Sequence, residues 1–143
     1  MKHSILVFLV SMIPVAELRL SIPLGIVTYE LPVWQVFFIS ILGNTLIAFI
    51  LLHFLERFSL VRKLLHFFCE LSKKRHSKKF EIYRNLALVI LVAIPLPFTG
   101  AWTASLCAFI FNIPKYLAIS LIFAGLLISG SIVTLITLGI INI

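Results

Sequence analysis

The chain has 143 residues, of which 62% are hydrophobic and only 12% are charged, and its mean hydropathy is +1.18. So few charged residues cannot provide the polar surface that a soluble domain of this length needs, so the composition excludes an ordinary soluble protein. It predicts an integral membrane protein with a single domain.

The net charge of +7 is confined to one part of the chain. The segment from Arg57 to Arg84 holds nine positive and two negative residues, whereas the rest of the chain is neutral overall. Positive loops beside membrane spans stay in the cytoplasm, so we predict a multi-pass protein of the cell (plasma) membrane with a cytoplasmic loop at residues 57–85. We expect this loop to contact membrane lipids and not nucleic acid.

The loop also carries a helical pattern of its own. Apolar residues between Phe58 and Leu71 recur at helical spacing among basic residues, which predicts an amphipathic helix on the membrane surface. The alternative is that the preceding span continues into the cytosol.

Four apolar segments follow one another along the chain, and two of them are broken. Val33–Leu55 and Tyr116–Ile143 are long enough to cross a hydrocarbon core of about 30 Å as single helices. Ser4–Val27 and Leu86–Phe111 each contain two short arms, so we predict that each is a re-entrant hairpin; a kinked single crossing is the alternative. The predicted breaks are prolines, namely Pro14, Pro23, Pro95 and Pro97.

The order of hairpin, span, loop, hairpin and span is a repeat. Each half crosses the membrane once, so the second half is inverted relative to the first. We therefore predict an all-α membrane domain built as an inverted repeat. It consists of residues 1–56 (first hairpin and span), 57–85 (basic cytoplasmic loop) and 86–143 (second hairpin and span). Both termini are then outside and Lys115 is inside, and the polar backbone of the hairpins favours a homo-oligomer.

The first break contains two ionisable residues, Glu17 and Arg19. An ionisable side chain at mid-membrane costs at least about 2.5–3.5 kcal/mol, so we predict a substrate or proton site; a purely structural ion pair is the alternative. In an extended turn the two could pair with each other. Asn44, a buried amide in the second segment, is expected to bridge to a hairpin turn, with ligand contact as the alternative.

The second break is uncharged, and its residues predict a helix start and a close approach to the backbone. Thr99 is placed to cap a helix that opens at Ala101, and Gly100 permits a close approach to the backbone. The N-terminus of that helix would attract an anionic group or Glu17 itself. Trp102 either covers the site or fills space.

Catalytic patterns are missing from the sequence. The chain contains no Asp, no His-Glu-x-x-His motif, no phosphate-binding loop and no Cys/His cluster. We therefore expect no enzyme activity, no cofactor and no metal site.

Two motifs carry a resemblance to a known family. The chain reads Pro-Val-Ala-Glu-Leu-Arg from Pro14 to Arg19 and Pro-Leu-Pro-x-Thr-Gly-Ala-Trp-Thr from Pro95 to Thr103. With Gly43-Asn44 between them, these motifs resemble the putative small multidrug export proteins, distant relatives of the DedA/VTT-domain superfamily. The resemblance covers nearly the whole chain and implies re-entrant hairpins, export, and lipid flipping or proton-coupled transport. Unlike many DedA members, this chain has an uncharged second hairpin.

Together these observations predict a small membrane transporter or exporter, in its most specific form a lipid-phosphate flippase, that alternates access between two hairpins. Its substrate is a small molecule or a lipid; a non-transporting membrane scaffold or assembly partner is the alternative. An anionic head group would dock between the hairpin tips on Arg19 and the helix N-terminus at Ala101, and Glu17 would hold Arg19 when the site is empty and release it on protonation. The predicted substrate- or ion-binding residues are Glu17, Arg19, Asn44, Thr99, Gly100 and Trp102.

Overall fold

The computed structural model describes residues 2–58, 78–97 and 99–141, together with positions 60, 63 and 70. The regular elements within these residues are all helical, as the composition predicts. The predicted amphipathic helix Phe58–Leu71 and the centre of the basic loop lie outside the described residues.

Six α-helices and one π-helical segment make up the described chain. Two of the helices are long and apolar enough to cross a membrane, and both coincide with predicted spans. In chain order the elements are α1 (Lys2–Ser11), α2 (Glu17–Pro23), the π-helical segment (Leu24–Thr28), α3 (Val33–Arg57), α4 (Lys78–Ala93), α5 (Ala101–Ile110) and α6 (Lys115–Ile141).

The fourth helix begins earlier than expected. It starts at Lys78, whereas the predicted third segment starts at Leu86, so the end of the predicted basic loop is helical. Lys, Glu and Arg are good helix formers, and an exposed first turn needs no apolar face. Hydropathy marks where a helix enters an apolar environment, not where the helix begins.

The prediction that Pro23 breaks the first segment is wrong. Pro23 lies inside the helix, as the last residue of α2, and the chain continues directly into the π-helical segment. A proline inside a helix removes one backbone hydrogen bond but need not end the helix when the next turn adjusts its hydrogen-bond pattern. The other predicted breaks, Pro14, Pro95 and Pro97, do lie in non-helical turns.

The two long helices run antiparallel to each other. The ammonium group of Lys115, at the start of α6, lies 3.7 Å from the Glu56 carboxylate near the end of α3. Near the other end of α6, a Cβ built on Gly130 would lie 3.1 Å from the ring of Phe37. The start of α6 therefore lies at the end of α3 from which the basic segment departs, as predicted for Lys115.

Each broken segment doubles back to the end at which it starts. The rings of His3 and Tyr29, at the start of α1 and after the π-helical segment, are 4.6 Å apart. Likewise, Arg84 in α4 donates a hydrogen bond of 3.1 Å to the carbonyl of Phe111 after α5.

The short arms pack against the spans in a regular way. The first arms, α1 and α4, pack on the spans of their own halves, α3 and α6. The second arms, α2 and α5, each contact both spans, and α3 and α6 also contact each other. A Cβ on Gly43 would lie 2.9 Å from the Phe8 carbonyl of α1, and one on Gly125 would lie 3.0 Å from the Val89 carbonyl of α4. Glycine at these positions allows the close approach.

The distribution of polar and apolar side chains is that of a membrane protein. Large apolar side chains face outward, with Trp34 and Leu135 at 68% and 70% exposure. Polar side chains such as Ser40, Asn44 and Ser105 are fully buried. A monomeric soluble protein rarely exposes so much contiguous apolar surface. With two span-length apolar helices, the chain is a membrane protein.

Candidate functional site

The two turns between the arms meet at the centre of the molecule. Glu17 begins α2 with a positive φ of 42°, and its carboxylate accepts hydrogen bonds from the backbone N–H groups of Ala101 and Trp102. These are free donors at the start of α5, where the helix dipole favours negative charge. A side chain from the first half thus caps a helix in the second half.

Gly100 provides the space for this contact. Its backbone is extended, with φ of −137° and ψ of −155°, so any residue could adopt its conformation. A Cβ at this position, however, would overlap the carboxylate group of Glu17. The close approach predicted at Gly100 is therefore present, and the approaching group is Glu17.

Trp102 forms a second connection between the turns. Its indole Nε1 donates a hydrogen bond of 3.0 Å to the carbonyl of Met12, in the turn after α1. The tryptophan therefore has a specific polar partner in addition to filling space. Sequence reasoning could not identify Met12, because a backbone carbonyl carries no signature in residue type.

Thr99 does not cap α5, contrary to the prediction. Its hydroxyl donates to the carbonyls of Ile94 at 2.8 Å and Leu96 at 2.9 Å, and it accepts from the Leu96 N–H at 3.2 Å. The hydroxyl therefore holds the proline-containing turn together through local backbone contacts. The capping position is left to Glu17.

Arg19 and Glu17 do not form the predicted ion pair. Arg19 is exposed, and no ion pair joins the two side chains. Arg19 instead lines an open crevice of about 400 Å³ between the first hairpin and the second half of α6. The crevice is otherwise mostly apolar, and its other lining residues are Pro23, Val27, Pro95, Val133, Ile136, Thr137 and Ile140.

A much smaller cavity, about 20 Å³, joins the two turns. Glu17, Arg19, Thr99 and Gly100 all line it, together with Ser129 of α6. The structure therefore brings four of the predicted site residues around one point. Ser129 was not among the predicted site residues.

Asn44 does not bridge to a hairpin turn. Its Nδ2 donates to the carbonyl of Ser40, one turn earlier in α3, at 3.1 Å. Its Oδ1 is buried without a hydrogen-bond partner among the described residues. The amide nitrogen of Asn44 is therefore hydrogen-bonded, whereas its amide oxygen is not.

Comparison with known proteins gives one match. The sequence model of the family described as "Putative small multi-drug export protein" matches residues 17–132. The chain belongs to this family. The family name suggests a small multidrug exporter. No curated protein and no solved structure matches the chain.

The region that matches the family model begins at Glu17 and includes Gly100 and Trp102. Glu17 and the residues of α5 that it contacts therefore both lie within the matched region. No group of three or more His, Cys, Asp or Glu side chains comes together in the described part of the chain. The chemistry available at the centre is hydrogen bonding and one carboxylate.

Proposed function

We propose that the protein is a small membrane exporter in which two re-entrant hairpins of an inverted repeat meet at mid-depth and open in turn. One observation carries this proposal: Glu17 of the first hairpin occupies the N-terminus of α5 in the second. A contact made by one carboxylate can be broken by protonation or by a competing anion, whereas an apolar seam could not be released in this way.

Matching features of the two halves support an inverted repeat. If α1, α2 and α3 are exchanged with α4, α5 and α6, the pairs of helices in contact remain the same. The turn before each long helix also has the same form: Glu30 and Asn112 have φ of 49° and 54°, and each stands two residues before a proline, Pro32 or Pro114. Because α3 and α6 are antiparallel, the exchange inverts the halves.

The dimensions of the arms support re-entrant hairpins. Helix α1 has 10 residues, or about 15 Å at a rise of 1.5 Å per residue, which is half the hydrocarbon thickness. After α1 the chain returns to the end at which α1 begins, since the rings of His3 and Tyr29 are 4.6 Å apart. The turns, with their irregular backbone, then lie at mid-depth inside the protein, the condition under which such backbone is tolerated.

The crevice at Arg19 supports an amphiphilic anion as the substrate. A guanidinium group presents five N–H donors in a planar fork, which suits a phosphate or carboxylate. The surrounding apolar residues, such as Val27, Val133 and Ile136, suit a hydrocarbon chain. A lipid phosphate combines both properties.

The order of events follows from which group holds the N-terminus of α5. In the described state Glu17 holds it, and the tips are joined. An arriving anionic head group binds Arg19 and competes for the N–H groups of Ala101 and Trp102. Glu17 leaves, the tips separate, and the crevice closes on one side as it opens on the other. No covalent chemistry and no cofactor is required.

Reconstitution into liposomes tests the proposal. Transport of a fluorescent lipid phosphate is measured beside a cationic drug and a neutral lipid. We expect transport of the lipid phosphate by the wild type, a large loss with Glu17→Gln, and a partial loss with Arg19→Lys, which keeps the charge but loses the fork. Transport of the cationic drug alone would support export as the function but contradict an anionic substrate. A wild type that folds but transports none of the three would instead indicate a membrane scaffold.

Topology is tested separately with reporter fusions in cells. A periplasmic or extracellular C-terminus, with a cytoplasmic reporter inserted in the basic segment 71–77, is expected. A cytoplasmic C-terminus would exclude the re-entrant arrangement. Crosslinking in native membranes tests the proposed homo-oligomer, with the exposed small residues of α6, Ser120 and Ala124, as the first positions.

A further inference from the structure

Three oxygen atoms in the interior of the described structure have no hydrogen-bond partner. They are Ser21 Oγ, Ser40 Oγ and Asn44 Oδ1, and all three side chains are fully buried. A buried polar atom that lacks a partner costs about 1–3 kcal/mol, and hydrocarbon offers no water to reduce that cost. A cluster of such atoms therefore indicates a ligand.

The two serines differ from three other buried hydroxyl groups. Ser105, Thr134 and Thr137 each donate to the carbonyl four residues earlier, at 2.6, 2.7 and 2.8 Å. This local bond is available to any helical serine or threonine. Ser21 and Ser40 do not make it, so their lone pairs and protons are uncommitted.

The register of α2 against α3 relates the turns that carry the three residues. The two elements are joined by a short turn and run antiparallel. Gly25 lies directly against Val36, since a Cβ on Gly25 would be 2.6 Å from Val36 Cγ1. Counting one helical turn from this contact along each antiparallel element pairs Ser21 with Ser40, and Asn44 follows one turn later on the same face of α3.

A negative charge, Glu17, lies one turn before Ser21 in α2. Its carboxylate already accepts from two backbone N–H groups, but a carboxylate has about four lone-pair sites. The amide nitrogen of Asn44 is occupied by the Ser40 carbonyl, so Asn44 offers only an oxygen. The set therefore consists of three neutral oxygens and one carboxylate.

This composition selects among cations. Zinc and other transition metals prefer nitrogen or sulfur ligands, and calcium and magnesium sites usually contain several carboxylates or bound waters. A monovalent cation needs one balancing charge and neutral oxygens. We propose that Ser21, Ser40, Asn44 and Glu17 form a Na⁺ site at mid-depth, which couples a sodium gradient to transport. The coupling rests on the proposed function; the binding does not.

Thermal unfolding of the purified protein in detergent tests the site. NaCl is compared with choline chloride at equal ionic strength. For the wild type we expect the unfolding midpoint to rise and saturate with NaCl only, because a ligand that binds the folded state stabilises it by mass action. Asn44→Leu and the double variant Ser21→Ala/Ser40→Ala should raise the half-saturating NaCl concentration by at least about tenfold.

The variants have favourable controls. Alanine at Ser21 and Ser40 removes no hydrogen bond, so we expect both variants to fold and to match the wild type without sodium. Ser105→Ala, at a fully buried serine that already has a partner, should keep the sodium response. Equal curves in NaCl and choline chloride for the wild type would overturn the site, as would an unchanged response in the double variant. Binding of radioactive sodium to the wild type measures occupancy of the site directly, without any variant.

Transport separates this proposal from the proposed function. If sodium binds but no substrate moves in liposomes, the exporter is rejected and the site remains. If substrate moves without any sodium response in unfolding or in binding, the exporter remains and the site is rejected.

Discussion

The two turns that meet at the centre of the molecule occupy corresponding places but contribute opposite chemistry. The first supplies acceptors, the carboxylate of Glu17 and the carbonyl of Met12. The second supplies donors, the N–H groups at the start of α5 and the indole of Trp102, with open space at Gly100. The comparison shows that two turns in contact can be chemically unequal, and that the missing Cβ of Gly100 in one turn makes room for the carboxylate of the other.

The largest expected effect comes from removing the carboxylate. We expect Glu17→Ala to lower the free energy of unfolding by about 2 kcal/mol, because hydrogen bonds to a charged group contribute about 1.5–3 kcal/mol. Glu17→Gln keeps an acceptor and should lose less. Thermal unfolding in detergent measures both. Glu30→Ala is the matched control, since Glu30 is also a glutamate with positive φ but is exposed. Equal losses at the two positions would show that the contact with α5 contributes nothing.

Filling the space at Gly100 tests the same contact from the other turn. Gly100→Ala forces the flexible end of Glu17 to move, and we expect a loss of about 1–2 kcal/mol in the wild type. In a Glu17→Ala background the loss should nearly vanish, because contacting residues show coupling energies of about 0.5–3 kcal/mol. The double-mutant cycle is read from unfolding midpoints. A loss that is the same in both backgrounds would place the clash elsewhere.

A smaller effect is expected for the hydroxyl that holds the second turn. Thr99→Ala removes bonds to Ile94 and Leu96 and should cost about 1 kcal/mol, while Thr99→Ser should recover most of it. Transport in liposomes should fall in parallel with stability. If Thr99→Ala leaves stability unchanged but abolishes transport, Thr99 acts on the substrate and not on the turn.

The smallest effect on stability is expected at Arg19. Its side chain is exposed and has no ion pair with Glu17, so Arg19→Gln should change the free energy of unfolding by no more than about 0.5 kcal/mol. Binding of a lipid phosphate should weaken nonetheless. A loss of stability as large as that of Glu17→Ala would support a structural role for the charges of the first turn.

The sequence was sufficient for the elements whose signals are local. Span length fixed α3 and α6, and closely spaced prolines with a glycine located the second turn, because both signals follow from the bilayer and from backbone geometry. The start of α5 at Ala101 was also correct. Pro23 was misplaced, since a proline signals a lost hydrogen bond and the π-helical segment shows that the helix can continue beyond it.

The candidate site was harder to predict because its partners are distant in sequence. Two partners were predicted for Glu17, the nearby Arg19 and the N-terminus of the helix that opens at Ala101, and the carboxylate binds the second, more than 80 positions away. The residue pattern located both partners but could not decide between them. Thr99 was misassigned for a related reason, since a hydroxyl before a helix serves equally well for a cap or for a proline turn.

In the proposed inverted repeat, the π-helical segment Leu24–Thr28 bears on how two halves of unequal length can match. Glu17 and Glu30 are 13 positions apart, whereas Ala101 and Asn112 are only 11 apart. In a regular helix, two extra residues would rotate the following chain by about 200°. A wider turn absorbs an inserted residue with less rotation, so α3 still presents the same face to the core. Insertions and deletions in this stretch of the first half should therefore be tolerated better than in α5.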